Sequence, residues 1–497
     1  MGDAESLGLA FTLLPEAPRE VAYDETRLDA LVTVRAHAGE TPAAAAPSAE
    51  VLIMDRSLSM AARGKLAAAQ SALAAAVDAV RDGTLLGVVA GHHEAEVIYP
   101  PGGGLAPVDA AVREAAKARI AAVVPSGGTR IGSWLRRADR LFVASEAASA
   151  RGTVRHAVLY TDGIDEHETP EELAAALTAC ADHFVCDARG FGEDWNYREV
   201  LRIAQALHGE AEAVVELTGL TEDFTQLMRR VQGIVVPRVY LRLRPRAGFR
   251  VVFVRQTYPV EADLAVQRED GGGVRVPLGS WSAQERHYQV SLAYAPDLLT
   301  VGAKTRVLRL GLHAETGGAL GSSDSPDVPD SWDSPDSPCV PEQHIAVERL
   351  PTPGVGIAPP AGLTHAENMR ELGEAISDCI DAWAADDRDR ADRALRRALG
   401  RAEELGDTGR LGALRAVAHQ GADGRWRLRD GVPRGEMQAL GVLSARTTRP
   451  HRPGASTAPG PEGAEQARQP CPHCGRPVAA ADAFCEKCGR SVAGGSR

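Results

Sequence analysis

Between residues 50 and about 235 the chain alternates short apolar runs with longer segments of helical period, and this restricts the fold more than any other feature. The runs are VLIMD (51–55), LLGVVAG (85–91), AEVIYP (95–100), RHAVLYTD (155–162), FVCDARGFG (184–192) and AEAVVEL (211–217). Most are apolar on both faces, as strands covered on both sides must be. The intervening segments have helical spacing; GKLAAAQSALAAAVDAV sets Leu66, Leu73, Val77 and Val80 on one face. The pattern predicts an α/β fold: a doubly wound, mostly parallel six-stranded sheet with helices on both faces. A tight turn between the second and third runs predicts that the third is an antiparallel edge strand.

The flanking regions read differently. LGLAFTLL and RLDALVTVRAHA, within residues 6–40, have β character. Residues 236–315 alternate apolar and polar side chains in VPRVYLRLRPR, FRVVFVRQTYPV, HYQVSLAYA and TRVLRLGLHA, the pattern of a half-buried antiparallel sheet. These two regions are expected to combine as an accessory antiparallel β-sandwich. Residues 364–418 carry an apolar 3.6-residue period through Met369, Leu372, Ile376, Ile380, Leu395 and Leu399, which predicts a small helical segment. The expected division is 1–47 (N-terminal strands of the sandwich), 48–235 (the α/β unit), 236–316 (sandwich strands) and 317–342 (acidic Ser/Asp/Pro linker). It continues with 343–445 (mainly helical), 446–469 (flexible linker) and 470–497 (a cysteine module). In the acidic linker Asp324, Asp327, Asp330, Asp333 and Asp336 recur every third residue, which in polyproline II geometry makes one acidic stripe. It reads as a solvated linker. Sharper readings are a docking strip for a basic partner, or a phosphoacceptor tract through Ser322, Ser325, Ser331, Ser334 and Ser337.

A length of 497 residues implies two to four domains. The net charge of −12 argues against nucleic-acid binding through bulk electrostatics. The start has no basic n-region, and no apolar run is long enough to span a bilayer, so neither secretion nor membrane insertion is expected. Four cysteines form CxxC pairs and four are scattered, a usage that fits a reducing, cytoplasmic compartment. The Ala/Gly/Arg-rich composition fits a high-GC bacterial source.

Five oxygen-bearing residues are candidates for one site. Asp55, Ser57 and Ser59 follow the first strand, Thr129 lies in PSGGTR, and Asp162 ends the fourth strand. In a sheet ordered 3-2-1-4-5-6, strands 1 and 4 are neighbours at the topological switch point, where ligands bind beyond the strands' carboxyl ends. Oxygen-only donors select a hard cation: Mg2+, or Ca2+ or Mn2+. Most of these oxygens are neutral, so a bound cation would keep surplus positive charge for a partner's Asp or Glu. His92, His93, His156, His167 and the run DEHE (165–168) are expected to be exposed loop residues. PPGGG (100–104) lacks the Lys-Ser/Thr of a phosphate loop, and no nucleophile–base pair is legible, so enzymatic activity is not expected.

These residues resemble the von Willebrand factor A domain with its metal-ion-dependent adhesion site. DxSxS is Asp55-Arg56-Ser57-Leu58-Ser59, the GGT threonine is Thr129 and the TDG aspartate is Asp162, and the resemblance covers roughly residues 48–235. It implies that Ser57, Ser59 and, with ligand bound, Thr129 coordinate the cation directly, while Asp55 and Asp162 act largely through water. It also implies an acidic protein ligand. Bacterial proteins of this layout often work with kinases, phosphatases or AAA+ ATPases.

At the C-terminus, Cys471-x2-Cys474 and Cys485-x2-Cys488 are each followed by a glycine. Four thiolates at this spacing suit tetrahedral Zn2+ in a short zinc ribbon whose folding energy comes from the metal. The leading expectation is therefore a cytoplasmic scaffold or regulatory adaptor that binds protein partners through a divalent cation. The alternatives are a nucleic-acid-associated factor reading through the ribbon and, third, a Mg-dependent hydrolase.

Overall fold

The computed structural model describes residues 9–39, 46–315, 337–353, 356–449, 468–471 and 477–479. The strands of the α/β unit are β1 (Ser48–Asp55), β2 (Leu85–Gly91), β3 (Ala95–Tyr99), β4 (Val154–Thr161), β5 (Val185–Phe191) and β6 (His208–Val214). Their order across the sheet is β3-β2-β1-β4-β5-β6, and a short strand, Ala106–Pro107, also pairs with β2. β3 runs antiparallel to β2, and the other neighbours are parallel. The helices are α1 (Lys65–Ala79), α2 (Ala110–Ala121), α3 (Ile131–Ala144), α4 (Pro170–Cys180), α5 (Tyr197–Ala206) and α6 (Leu220–Gln232).

Both faces of the sheet are covered, which is why its strands are apolar on both sides. Val51, Ile53 and Leu159 pack with α3, α4 and α5. Leu52, Met54 and Val158 pack with α1, α2 and α6 on the other face. Two boundaries differ from the pattern in the sequence. The last strand runs from His208 to Val214 rather than over 211–217, because Leu217 already starts the turn into α6. α6, an element not among the expected ones, buries Leu220, Phe224, Leu227, Met228 and Val231 against the sheet.

Two further sheets flank this unit. Leu9–Glu16, Arg27–Ala38, Gln284–Ala293, Arg250–Tyr258 and Ala262–Leu264 form one, in that order. The other is centred on Val239–Pro245 and Lys304–Ala314, with Val274–Pro277 and Gln343–Arg349 beside them. Leu28, Val32, Val34 and Val254 of the first share one apolar core with Leu241, Leu310 and Leu312 of the second. Gln343–Arg349 is thus a strand at the start of a region expected to be mainly helical; it completes the sheet by pairing with Lys304–Ala314. Helices α7 (Ala361–Ala384), α8 (Arg388–Glu404), α9 (Thr408–Ala416) and α10 (Arg434–Ser444) follow. Their apolar stripe, including Leu372, Ile376, Leu395, Leu399 and Met437, joins the core beneath α3 to α5. No helix among the described residues is long and apolar enough to cross a membrane.

His156 corrects an expectation. It lies 1% exposed within β4, because carboxylates on both neighbouring strands hold its ring in the sheet. Nδ1 is 2.8 Å from Glu50 Oε2 on β1, and Nε2 is 3.1 Å from Asp187 Oδ2 on β5. Burial alone would lower the imidazolium pKa, but the two carboxylates outweigh it and push it up to about 9. A cation whose folded-state pKa is raised stabilises the fold below its unfolded value. That contribution disappears as pH rises through the folded value. The wild-type protein is therefore expected to lose up to about 3 kcal/mol of unfolding free energy between pH 6.5 and 9. Urea titrations across this range should show that slope, and His156→Gln should remove most of it. An equal slope in both proteins would refute the imidazolium assignment.

Candidate metal centre

The backbone leaves the sheet at Asp55 and is immediately tied down. Arg56 N donates to Gly91 O (2.8 Å), Leu58 N to Gly127 O (2.9 Å) and Ser126 N to Arg56 O (2.7 Å). These bonds lace the turn after β1 to the end of β2 and to the loop before α3, where Gly127 adopts a positive φ of 69° that a side chain would strain. Asp55 Oδ1 accepts from Ser57 N at 2.8 Å, and Oδ2 accepts from Thr161 Oγ1 at 2.7 Å. Ser59 Oγ donates to Asp162 Oδ1 at 2.7 Å, and Ser57 Oγ lies 2.8 Å from Ser59 Oγ. The two serine hydroxyls thus share one hydrogen bond beside the Asp162 carboxylate.

Thr129 is buried on the same cleft. A Cβ on Gly163 would lie 3.0 Å from Thr129 Oγ1, 3.6 Å from Ser59 Oγ and 3.8 Å from Asp55 Oδ2. Gly163 thus marks a cradle of converging oxygens that a methyl group would crowd. Asp55, Ser57, Ser59, Thr129 and Asp162 are therefore brought together. Hydroxyls and carboxylates in one concave cluster fit a hard divalent cation, which prefers oxygen and tolerates water in its remaining positions.

The electrostatics point the same way. Burial pushes the Asp55 carboxyl up to about 6, with the neighbouring Asp162 charge adding to it and hydrogen bonds from Ser57 and Thr161 opposing. A third element holds this negative charge in place. Lys65, the first residue of α1, donates from Nζ to Asp162 Oδ2 at 2.7 Å, and Asp194 Oδ2 is 3.4 Å away. A cation at a helix N-terminus opposes the macrodipole, so its position there depends on these carboxylates. The sequence carries a signal for it: one lysine opening an Ala- and Leu-rich helix. Thr161 and Gly163 belong to the same cleft, and no spacing pattern in the sequence marks them.

Other candidates fall elsewhere. In DEHE, Asp165 Oδ2 accepts from Ile131 N (3.1 Å) and Glu168 Oε2 from Gly132 N (2.7 Å), so both carboxylates cap the start of α3 rather than project as free loop groups. Burial and the adjacent Glu168 raise the Asp165 pKa. His92 is also buried, because its ring packs on His93 beneath the glycine loop, whereas His93 and His167 are exposed. Among the described residues no group of three or more His, Cys, Asp or Glu is arranged to hold a metal. Cys471 is buried. Cys474, Cys485 and Cys488 lie outside the described residues, as does most of the acidic linker.

A doubly wound sheet with an oxygen-lined cleft at its switch point places the chain in the Rossmann-like α/β class. The family model for the von Willebrand factor type A domain matches residues 49–213. A solved von Willebrand factor type A protein from Catenulispora acidiphila is 30% identical, with a TM-score of 0.76 over 90% of this chain and 99% of that one. The chain belongs to the von Willebrand factor type A family. The ArnB paralog VWA2 from Sulfolobus acidocaldarius shares the fold at 14% identity, with a TM-score of 0.52 over 88% of this chain and 98% of that one. No curated protein matches this chain.

Replacing Lys65 by Met leaves the buried Asp162 carboxylate without its ammonium. The expected cost is about 3–5 kcal/mol of unfolding free energy in EDTA, read from urea titrations, with partial recovery in Lys65→Arg. An unchanged midpoint in Lys65→Met would show that the ion pair contributes nothing to the cleft.

Proposed function

We propose that the protein is a metal-dependent interaction module. Asp55, Ser57, Ser59, Thr129 and Asp162 would hold a divalent cation, Mg2+ or in its place Ca2+ or Mn2+. The bound cation would supply a Lewis-acid anchor for an Asp or Glu of a partner protein. The observation that carries this reading is the hydroxyl relay Ser57–Ser59–Asp162 facing Thr129 across the Gly163 cradle. Asp55 and Asp162 orient the hydroxyls and contribute negative charge, part of which Lys65 already neutralises. Family membership supports a binding role over a catalytic one. Leu58, between the two serines' positions, is 64% exposed and gives a docking partner an apolar contact at the rim.

We further propose that Cys471, Cys474, Cys485 and Cys488 bind Zn2+ as a closed tetrathiolate ribbon, which serves the same adaptor as a second docking unit. The paired CxxC motifs and scattered thiols favour a scaffold of a reducing, cytoplasmic compartment.

Millimolar Mg2+ should raise the thermal midpoint of the wild-type protein by a few degrees, through preferential binding to the folded state. It should not raise the midpoint of Asp55→Ala/Ser57→Ala, and partners retained by the wild type in Mg2+ should be lost in EDTA and in the variant. Equal shifts, or equal retention in all conditions, would rule out the cation bridge. For the ribbon, elemental analysis should give one zinc per chain, falling to less than about a tenth in Cys485→Ser/Cys488→Ser; a variant that kept stoichiometric zinc would rule out these ligands.

A further inference from the structure

The outer face of the sheet built on Val239–Pro245 and Lys304–Ala314 holds a concavity of about 490 Å3, lined by none of the elements that form the oxygen cleft. Its lining contains four arginines, Arg244, Arg246, Arg306 and Arg309, together with His344, against one carboxylate, Glu342. The strand register creates this concentration of charge. Arg244 stands opposite Arg309 on the neighbouring strand, and Arg309 stands opposite His344 on the next. Basic side chains directly opposed across adjacent strands repel one another, and a nearby anion relieves that repulsion. Glu342 lies 3.3 Å from Arg309 and supplies one. Guanidinium groups fanned over an open concavity suit carboxylates or phosphates, which they hold through paired N–H donors.

The chain carries a matching polyanion between two anchor points on the sheet that forms this pocket. Residues 316–336 contain Asp324, Asp327, Asp330, Asp333 and Asp336 and no lysine or arginine. This segment follows Lys304–Ala314, the strand that supplies Arg306 and Arg309. It rejoins the same strand at Ser337–Pro338, which pairs with His313 and Ala314. Arg309 lies roughly 15 Å along the strand from that point. The stretch from Glu315 to Asp324 spans about 30 Å when extended, and the stretch from Ser337 back to Asp330 about 23 Å. Asp324, Asp327 and Asp330 are therefore within reach of the pocket while both ends stay anchored.

We propose that the arginine-lined pocket is the docking site for the chain's own acidic segment, with Asp324, Asp327 and Asp330 as its ligands. Tethering at both ends gives these carboxylates a local concentration on the order of millimolar, so individually weak ion pairs suffice to keep the pocket filled. The acidic stripe is thus assigned an intramolecular partner. This assignment is independent of the cation site and stands whether or not that site binds metal.

The test uses the full chain with Asp324, Asp327, Asp330, Asp333 and Asp336 all replaced by Asn, and a fluorescein-labelled synthetic peptide covering residues 320–337. Fluorescence anisotropy should show the peptide binding the Asn-substituted chain, more weakly as salt rises toward physiological strength. The wild type should bind it at least about tenfold more weakly, because its own segment competes. Adding Arg306→Glu and Arg246→Glu to the Asn-substituted chain should cost a further tenfold or more. Arg306→Gln, which removes one charge without reversing it, should give an intermediate loss at an unchanged thermal midpoint. If the Asn-substituted chain does not bind the peptide, or binds it regardless of the arginine changes, the pocket is not the docking site. Equal binding by the wild type and the Asn-substituted chain would overturn intramolecular docking and leave the pocket open to another protein's acidic segment. Displacement of the peptide by inorganic phosphate at constant ionic strength would make a small anion the ligand and overturn the peptide assignment.

Discussion

The parallel pairing of β1 with β4 creates the oxygen cleft. Met54 lies opposite Tyr160, so Asp55 and Asp162, 107 positions apart in the chain, leave the sheet side by side. This pairing is held from both faces by apolar side chains and from within by the Glu50–His156–Asp187 triad, which ties β1, β4 and β5 together at the opposite end of the strands. A slip of one residue would send Asp55 to the wrong side of the sheet and bring Ile53 into the place of Met54. The precision of the cleft therefore comes from strand register more than from the loops that carry the serines.

Around that register the structure arranges charge in shells. Asp162 accepts from Ser59 and Lys65, and Lys65 reaches on to Asp194 in the loop after β5. That loop is braced from behind by the C-terminal helices. Gly435 of α10 approaches so closely that a Cβ there would lie 2.6 Å from Gly192 O. Tyr197 N donates to Gln438 Oε1 at 2.8 Å, and Arg198 makes paired bonds of 2.7 and 2.8 Å to Asp381. The helical region is thus fixed to the wall of the cleft through short contacts between backbones and polar groups.

The architecture was legible in the sequence wherever burial was two-sided and periodic. The runs of β1, β2 and β4 are apolar at their centres and bounded by turns, and the order 3-2-1-4-5-6 expected of a doubly wound sheet is the one observed. The five oxygen residues were legible because they sit at strand ends and in a glycine loop. What stayed hidden depends on three-dimensional neighbours. Nothing local distinguishes His156 in RHAVLYTD from an exposed strand-end histidine; its burial depends on Glu50 and Asp187, on other strands. Lys65 resembles an ordinary surface residue of an amphipathic helix until Asp162 is placed beside it. Gln343–Arg349 has too weak an alternation to stand out, and it becomes a strand because Lys304–Ala314 offers it an edge.

The N-terminal strand Arg27–Ala38 lies between Leu9–Glu16 and Gln284–Ala293. The whole α/β unit is therefore inserted between two strands that are neighbours in space. During synthesis, Leu28, Val32 and Val34 emerge long before Gln284–Ala293 can cover them, while the inserted unit has all its strands available by residue 214. A strand paired across such a long separation pays its loop-closure entropy late. Topology thus orders the assembly: the α/β unit can close first, its two ends then bring the waiting strand to its partner, and until that moment the amino-terminal hairpin is the part of the nascent chain most exposed to wrong pairing.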